Sequence, residues 1–409
     1  MEGIHFGTDG WRGVIAENFT FQNVRRVGRA LVLLMKEKMI TDKPAIIAYD
    51  FRFLSEFFAR TIHDELIAGG MKSILSDRAI PTPALSLAVK KRRGAFGVMI
   101  TASHNPHFYN GIKFKSSYGG PVMPDFTSDV TRLLKNIPDA PQESPVYAPP
   151  VQVKDLLTPY LNALRAYVNF DILKKSGLRV GVDSMFAVGG TLLPDILAGT
   201  NITVCSIRTE RNPLFGNDLP EPAPPLLEPI SRLVRSEKCD AGLATDGDAD
   251  RIGIVDHEGR FVTLHYLMPL LYEYLVESRG MKGDGVRTTS ADPLFDDVCT
   301  ALGRACHEVP VGFKNVCELV LAKDILVGGE ESGGVCFKGH MPERDGLLSG
   351  LLTLEMMAAK KKSLADLVAD MGRRFHTVEY LRTDRVFDQM KLKANMISLK
   401  KTPPERIAE

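Results

Sequence analysis

The sequence lacks the long apolar runs, targeting segments and charge excess that mark several specialised classes of protein. No uncharged apolar run approaches the ~20 residues that a membrane-spanning helix needs. The first residues, MEGIH, have neither the basic region nor the apolar core of a secretory signal peptide. The net charge is +1, so neither a basic excess that favours nucleic-acid binding nor an acidic tract typical of disorder is present. We therefore expect a cytoplasmic protein without a membrane or nucleic-acid partner.

Cysteine is scarce, and its spacing excludes the common structural zinc motifs. No two cysteines form a Cys-x-x-Cys pair, which those motifs require. The simplest interpretation is that the thiols are reduced, as in cytosolic proteins. The six cysteines are Cys205, Cys239, Cys299, Cys306, Cys317 and Cys336.

The remaining composition is that of an ordinary globular protein, with 44% hydrophobic and 25% charged residues among 409. That length is too great for one compact core, so we expect two to four domains. Apolar runs typical of buried strands alternate with helical patterns along the chain, which predicts an α/β fold. Segment 138–150 contains five prolines and is predicted to be a stiff linker.

Three cycles of strands and helices are predicted, each of roughly domain size. The first comprises strand 45–49, a helix capped by Ser55 and ended by Gly69, strand 72–75, a short helix after residue 83 and strand 95–100. The second comprises strand 178–182, a helix opened by Gly189, strand 202–205 and strand 241–244. The third comprises helix 267–276, strand 286–289, helix 293–302, strand 305–309, a helix ending at residue 322, strand 325–327 and helix 346–360. In each cycle a polar loop follows an apolar strand, which is where α/β sheets bind ligands.

Three aspartates, Asp246, Asp248 and Asp250, directly follow one of these strands. Their carboxylate oxygens suit magnesium, calcium or manganese better than zinc. A calcium-binding EF-hand needs glycine at its sixth position and glutamate at its twelfth, where this chain has Arg251 and His257. Magnesium prefers a few carboxylates shared with a phosphate, and three close carboxylates repel one another without a cation. The run therefore predicts a magnesium site rather than a solvated acidic turn.

Ser103 lies in the run 101–106, TASHNP, just after the strand 95–100. A serine in this position is often only a helix cap or a turn residue. No Gly-x-Ser-x-Gly elbow surrounds it, so a hydrolase triad is not expected. A serine hydroxyl and three carboxylates are, however, the groups needed to store and transfer a phosphoryl group. The neighbouring His104 is as consistent with a structural role as with a catalytic one.

A third polar loop, 328–334, has the sequence GGEESGG. Its glycines allow a ligand to approach the backbone, and Glu330 and Ser332 can hydrogen-bond vicinal hydroxyls, although a solvated turn is the alternative. Basic residues beside the three loops would offset the charge of a phosphate and of the aspartates. These residues are Arg12, Lys113, Arg251 and Lys314.

Four segments, taken in order, resemble the motifs of the α-D-phosphohexomutases, a family that includes phosphoglucomutases, phosphomannomutases and phosphoglucosamine mutases. Segment 6–13, FGTDGWRG, is similar to the opening motif, 101–106 to the phosphoserine loop, 246–251 to the metal loop and 329–334 to the sugar-binding loop. The likeness runs from residue 4 to about residue 375, and four ordered motifs are far more specific than one. It implies three consecutive α/β domains with mixed sheets around a central cleft.

The resemblance implies a phosphoserine domain with its linker over 1–150, a metal-binding domain over 151–256 and a sugar-binding domain over 257–372. The family has a fourth domain, whose Arg-x-Ser-Gly-Thr-type loop grips the distal phosphate of the substrate. Residues 373–409 could begin such a domain but contain no such loop, so we expect the fourth domain to be largely absent. A degenerate, non-catalytic binding protein is therefore an alternative to an active enzyme.

The resemblance also implies an isomerase in which Ser103, carried as phosphoserine, donates its phosphoryl group to a hexose phosphate and recovers one from the other oxygen. Magnesium would be held by Asp246, Asp248, Asp250 and a phosphate oxygen on Ser103. Glucose 1,6-bisphosphate would act as activator. The further site residues implied are Arg12 and Lys113 for proton transfer, and Arg251, Gly312, Glu330 and Ser332 for substrate.

Two positions in the sequence bear on which hexose is used. The run 312–314, Gly-Phe-Lys, and Gly334 depart from the histidine-containing loops of many bacterial members and are more similar to glucose-preferring phosphoglucomutases. Lys314 then becomes a candidate catalytic residue, together with His104. We expect a glucose phosphate substrate, with mannose and glucosamine phosphates as alternatives, and a monomer or dimer.

Overall fold

The structure, a computed structural model, describes residues 4–7, 10–138 and 153–382. Every strand and helix among these residues lies in the compact unit Met1–Thr377. Most of the predicted proline-rich linker and residues 383–409 of the expected fourth domain lie outside the described residues. So do Thr8 and Asp9 of the opening motif.

The first part of the chain forms a six-stranded mixed sheet with the strand order β1-β5-β4-β2-β3-β6. Strand β2 is parallel to its neighbours β3 and β4, whereas β5 is antiparallel to β4 and to β1. The strands are β1 Trp11–Val14, β2 Ala45–Tyr49, β3 Ser73–Ser76, β4 Phe96–Ile100, β5 Tyr109–Ser116 and β6 Val153–Lys154. The helices around it are α1 Phe21–Glu37, α2 Ser55–Ala68, α3 Thr82–Lys91 and α4 Pro124–Leu134.

Helix α1, which the sequence analysis does not predict, is fixed by its cap and its apolar face. The hydroxyl of Thr20 accepts a hydrogen bond from the backbone N–H of Asn23 at 3.2 Å, which satisfies one free donor of the first turn. Buried residues recur at the three- and four-residue spacing of one helix face, as at Val24, Val27 and Leu31. This face packs into the apolar core that covers the first sheet.

The predicted capping role of Ser55 is wrong. Ser55 is the first residue of α2, and Leu54 occupies the cap position with a φ of 62° and no side-chain capping bond. The Ser55 hydroxyl instead donates to the carboxylate of Asp50 at 2.8 Å. Asp50 is fully buried just after β2, and this acceptor, five residues before Ser55, takes the hydroxyl away from the helix end.

The second sheet has five strands in the order β11-β10-β9-β7-β8. Strand β7 is parallel to β8 and β9, and β10 is antiparallel to β9. Its elements are α5 Leu157–Tyr167, α6 Phe170–Leu173, β7 Arg179–Asp183, α7 Leu192–Leu197, β8 Thr203–Ile207, α8 Glu228–Glu237, β9 Ala241–Thr245, β10 Ile252–Asp256 and β11 Phe261–Val262. A short 3₁₀ turn, Phe215–Asn217, lies between β8 and α8.

The third sheet has four strands in the order β13-β12-β14-β15. Strand β12 is parallel to β13 and β14, and β15 is antiparallel to β14. Its elements are α9 Leu264–Glu277, β12 Asp284–Thr288, α10 Leu294–Ala301, β13 Cys306–Val309, α11 Phe313–Ala322, β14 Ile325–Gly329, β15 Val335–Phe337, α12 Gly346–Lys360 and α13 Leu364–Arg374.

The three sheets share one local arrangement that places the predicted loops. In each sheet, a fully buried strand (β4, β9 or β14) leads into a polar loop. The chain then forms the next strand antiparallel to the first. The α/β class with mixed sheets is therefore confirmed. Within the described residues, none of the helices is both long and apolar enough to cross a membrane.

Candidate active site

The three polar loops lie against one another. We call residues 101–106 the serine loop, 246–251 the aspartate loop and 329–334 the glycine-rich loop. The Ser103 hydroxyl donates to the carboxylate of Asp246 at 2.8 Å, which joins the serine and aspartate loops. The N–H of Ile252, next to the aspartate loop, donates to the carbonyl of Gly333 at 3.0 Å. The aspartate loop is thus in contact with both of the others.

The serine loop holds Ser103 in an uncommon backbone conformation. Its φ is 52°, in the left-handed region that non-glycine residues rarely adopt. The Ser103 N–H donates to the hydroxyl oxygen of Thr101 at 2.9 Å, and Ser103 is buried. A Cβ on Gly247 would lie 2.0 Å from the Ser103 carbonyl oxygen, so the aspartate loop can approach this closely only with glycine there.

The aspartate loop has the donor set of a site for a hard cation. Asp246, Asp248 and Asp250 are fully buried, and each offers one oxygen within 4.8 Å of the others. Among the described residues, Oδ1 of Asp248 and Oδ1 of Asp250 have no hydrogen-bond partner. Buried polar atoms are normally satisfied, so two buried carboxylate oxygens without a partner, in a cluster of three aspartates, fit a divalent ion with oxygen ligands. The residues present therefore fit magnesium.

The Oδ2 atoms of Asp248 and Asp250 are held by residues from the first and third sheet regions. The Lys113 ammonium lies 2.7 Å from Asp248 Oδ2 and 3.2 Å from Asp250 Oδ2. The Thr82 hydroxyl donates to Asp248 Oδ2, and the Arg344 guanidinium lies 2.7 Å from Asp250 Oδ2. These contacts occupy Oδ2 of both aspartates and leave Oδ1 of each without a hydrogen-bond partner among the described residues.

The cations and the burial act in opposite directions on the acidic groups. Burial, with the neighbouring charges of Asp250 and Asp248, raises the pKa of Asp246 well above its usual range. Burial would also raise the pKa of Asp250, but the charges of Arg344 and Lys113 outweigh it and lower that pKa. Burial would lower the pKa of Lys113, but the two aspartates outweigh it and raise the pKa, so the ammonium stays charged.

In the glycine-rich loop, Glu330 is buried and held from two sides. Its carboxylate accepts from the N–H of Gly312 at 3.1 Å and from Arg344 Nη1 at 3.3 Å. A Cβ on Gly334 would lie 2.1 Å from Cδ of Arg344, so glycine at this position makes room for the arginine. Ser332 is exposed. Gly312 and Glu330, both predicted to bind substrate, are thus brought together.

The basic residues Arg12, Lys113 and Arg251, and the neighbouring His104, lie around the serine and aspartate loops. Arg12 is exposed and, with Lys113, lines a cavity of about 230 Å³. Burial, helped by the charges of Arg251 and Arg12, lowers the pKa of His104 to about 2, so its ring is neutral. The N–H of Arg251 donates to Asp246 at 3.1 Å.

Lys314 is not brought into this network. It lies in the first turn of α11 and is partly exposed, and no ion pair or hydrogen bond joins its side chain to another described residue. Arg344 instead pairs with both Glu330 and Asp250, and Lys113 also pairs with Asp250.

The sequence analysis does not identify three residues of the site: Arg52, Thr82 and Arg344. Arg52 follows β2 and donates to the Ser103 carbonyl at 2.6 Å. Thr82 begins α3 after β3, and Arg344 precedes α12. Arg52 and Thr82 lie just beyond the carboxyl ends of parallel strands, so the rule that identified the other loops would have found them. Arg344 has no comparable signal, because its partners are 94 and 14 residues away in sequence.

Comparison with protein families gives matches along most of the chain. Residues 3–140, 158–259 and 264–375 match the phosphoglucomutase/phosphomannomutase alpha/beta/alpha domains I, II and III, respectively.

Individual relatives agree with these matches. The chain is 28% identical to the phosphoglucomutase/phosphomannomutase of Thermococcus kodakarensis, over 93% of this chain and 83% of that protein. It is 30% identical to the phosphoglucosamine mutase of Corynebacterium jeikeium, over 90% and 82%. The crystal structure of a candidate phosphomannomutase from Thermus thermophilus is 36% identical, with a TM-score of 0.85 over 91% of this chain and 84% of that one. The chain therefore belongs to the phosphoglucomutase/phosphomannomutase family of α-D-phosphohexomutases, which are intramolecular phosphotransferases.

Proposed function

We propose that this chain interconverts the 1-phosphate and the 6-phosphate of a hexose, glucose in the first place, by way of a phosphoserine at Ser103. The observation that carries the proposal is the 2.8 Å hydrogen bond from the Ser103 hydroxyl to Asp246, beside two further buried carboxylates. A serine used for hydrolysis needs a base such as histidine, and here the hydroxyl meets a carboxylate of a cation site instead.

The transfer is an exchange of one phosphorus–oxygen bond for another. The Ser103 oxygen attacks the phosphorus of one phosphate of a hexose 1,6-bisphosphate, and the bond from that phosphorus to the sugar oxygen breaks. The hydroxyl proton of the serine ends on the released sugar oxygen, which leaves a hexose monophosphate. The phosphoserine transfers its phosphoryl group to the free 6-hydroxyl of a hexose 1-phosphate, which forms the 1,6-bisphosphate again. Transfer of the phosphoryl group on O1 back to Ser103 then releases the hexose 6-phosphate. Glucose 1,6-bisphosphate supplies the first phosphoryl group and so acts as activator.

The chain's own groups prepare Ser103 for this step. Asp246 orients the hydroxyl, and the burial of Ser103 keeps bulk water from the oxygen, which disfavours hydrolysis of the phosphoserine. Arg12 and Lys113, which border the same cavity, and Arg251 provide positive charge for the phosphates. A magnesium ion held by the three aspartates and a phosphate oxygen on Ser103 would stabilise the charge of the transferring group.

The choice of glucose rests on the residues around Glu330. Its carboxylate is fixed by Gly312 and Arg344, so it can accept hydrogen bonds from vicinal sugar hydroxyls in one orientation. The Gly-Phe-Lys run at 312–314 supports glucose. The names of the relatives, which include phosphomannomutase and phosphoglucosamine mutase, keep mannose and glucosamine phosphates as alternatives.

The proposal is tested by labelling Ser103. Incubation with glucose 1,6-bisphosphate and Mg²⁺ should add one phosphoryl group to Ser103, detected by peptide mass spectrometry, and Ser103→Ala should lose both the label and mutase activity. Ser128→Ala is a matched control, because Ser128 is exposed on α4 and bonded only within that helix. A wild type that isomerises the sugar without carrying a label would overturn the phosphoserine route.

The same assay with glucose, mannose and glucosamine 1-phosphates decides the substrate. We expect kcat/KM to be highest for glucose 1-phosphate. A wild type that is labelled but isomerises none of the three would be a non-catalytic binding protein or a phosphatase, and released inorganic phosphate distinguishes these two outcomes.

A further inference from the structure

One buried arginine holds the backbone of the serine loop. The guanidinium of Arg52 donates to four carbonyl oxygens: those of Ser103 at 2.6 Å, Asn105 at 2.6 Å, Pro106 at 2.9 Å and Tyr109 at 3.1 Å. These carbonyls extend from the reacting serine to the first residue of β5. From this geometry we infer that Arg52 is the positioning residue that sets the serine loop for phosphoryl transfer, an inference that rests on the proposed function of Ser103.

The arginine is itself firmly placed. Its side chain is fully buried, and its Nε lies 3.5 Å from the carboxylate of Asp50. Asp50 also accepts from the backbone N–H of Arg52 at 2.9 Å and from Ser55 at 2.8 Å. The charge is therefore balanced by one fixed carboxylate, and the two Nη atoms remain for the loop carbonyls. A guanidinium can reach four acceptors because its donors lie in a rigid plane, which the single ammonium of lysine cannot reproduce.

The serine loop needs such support because its conformation is costly. A non-glycine residue in the left-handed region costs about 1–3 kcal/mol unless its surroundings fix it. Ser103, at a φ of 52°, is fixed by Arg52 at its carbonyl and by Thr101 at its N–H. Without Arg52, the carbonyls of Ser103, Asn105 and Tyr109 would lose its N–H donors, and the Pro106 carbonyl would keep only the N–H of Tyr109. We therefore expect the loop to relax toward ordinary backbone angles. Such a change would move the Ser103 oxygen away from Asp246.

Arg52 also connects the serine loop to the second sheet region. Its guanidinium carbon lies 4.9 Å from the ring centre of Phe215, in the 3₁₀ turn after β8. The neighbouring Arg211 donates to the carbonyl of Phe51 at 3.3 Å. Segment 211–215 therefore packs on the residues that carry Arg52. Because the aspartate loop belongs to the same sheet region as Phe215, this packing helps to keep Ser103 in register with Asp246.

The experiment compares Arg52→Lys with wild type in the rate of Ser103 labelling by glucose 1,6-bisphosphate at saturating Mg²⁺. Misplacement of a reacting group by about 1 Å reduces a rate by about 10²-fold, so we expect a loss of roughly that size in the labelling rate and in kcat. The KM for the hexose phosphate should be unchanged, because the glycine-rich loop is not in contact with Arg52. The affinity for Mn²⁺, measured by electron paramagnetic resonance, should also be unchanged.

Arg287→Lys is the matched control. Arg287 is buried, pairs with Asp296 at 2.9 Å and donates to two loop carbonyls, but in the third sheet region. It should lose stability without losing the labelling rate. The inference is wrong if Arg52→Lys labels Ser103 at the wild-type rate. It is also wrong if Arg287→Lys, at an equal loss of thermal stability, shows an equal decrease of the labelling rate. An unlabelled wild type would instead contradict the proposed function.

A second variant covers the case in which Arg52→Lys does not fold. Phe215→Leu removes the aromatic face beneath Arg52 but leaves its four hydrogen bonds in place. We expect a smaller decrease of the labelling rate, with KM and Mn²⁺ affinity again unchanged. A folded Phe215→Leu protein with full labelling rate would show that the packing on Arg52 does not act on the serine loop.

Discussion

Gly247 and Gly334 lie where the loops of the site approach their neighbours most closely. At Gly247 the obstacle to a side chain is the Ser103 carbonyl, and at Gly334 it is the side chain of Arg344. A flexible side chain can move aside, whereas a backbone carbonyl held by Arg52 cannot move without shifting the serine. The absence of a Cβ is therefore most important at Gly247, where it determines how closely the aspartates approach the serine.

Gly247→Ala should reduce kcat by about 10²-fold, since the new methyl group must separate the two loops by roughly an ångström. The overpacked contact should also lower the free energy of unfolding by about 1–3 kcal/mol. Steady-state kinetics and urea unfolding measure the two effects.

Gly372→Ala is the control for this substitution. Gly372 lies in α13, and a Cβ there would meet its nearest neighbours, Thr377 and Tyr266, at an ordinary 3.6 Å. Alanine should leave kcat unchanged and stabilise the helix by up to about 1 kcal/mol. Equal activity of Gly247→Ala and wild type would mean that the loop separation does not limit the reaction.

At the level of elements, local sequence patterns predict the bounds of helices and strands better than they predict which side chains form hydrogen bonds. Helix α12 begins and ends at the predicted residues 346 and 360, and strand β2 has the predicted bounds 45–49. The position of each polar loop follows from its buried strand. The contacts of Arg52 could not be predicted, because their acceptors are 51 to 57 residues away in sequence and only the folded sheet brings them near. The predicted cap of α2 is wrong because the Ser55 hydroxyl binds the buried Asp50 and not the helix end. The site residues named from sequence and the domain boundaries remain predictions.

The packing of α2 on β3 makes one part of the stability depend on pH. His63, in α2, is buried and bonded to the hydroxyl of Ser73 at 2.9 Å. Burial, with a smaller effect of the Arg60 charge, lowers the pKa of His63 to about 4. Between about pH 6.5 and pH 4 the unfolded chain binds a proton that the folded chain does not, so stability decreases as the pH falls through that range.

The contribution of His63 over this range should be about 3 kcal/mol in the free energy of unfolding. His63→Gln, which cannot titrate, should therefore show a weaker pH dependence of the urea midpoint between pH 7 and pH 4. Above pH 7 the two proteins should have parallel curves. Identical slopes in the acidic range would exclude His63 as the titrating group.

At the level of the whole molecule, the site exists only where the three sheet regions meet. The serine comes from the first, the aspartates from the second, and Glu330 and Arg344 from the third. The contacts of Lys113 and Thr82 with Asp248 cross between the first and second regions, and Arg344 joins the second to the third. A cation bound by the aspartates is therefore expected to stabilise more than its own loop.

Mg²⁺ should raise the melting temperature of the first sheet region as well as that of the second. Ligand binding to the folded state adds about 2.7 kcal/mol of stability at a concentration of 100 Kd. The chain has one tryptophan, Trp11, which is buried in β1, so its fluorescence reports on the first region, whereas far-UV circular dichroism reports on all three. Both transitions should shift upward together with Mg²⁺.

Asp250→Asn should abolish the shift, and Asp171→Asn, at an exposed position in α6, should retain it. A shift in circular dichroism without one in Trp11 fluorescence would mean that the cation does not link the regions, and a full shift in Asp250→Asn would place the ion elsewhere.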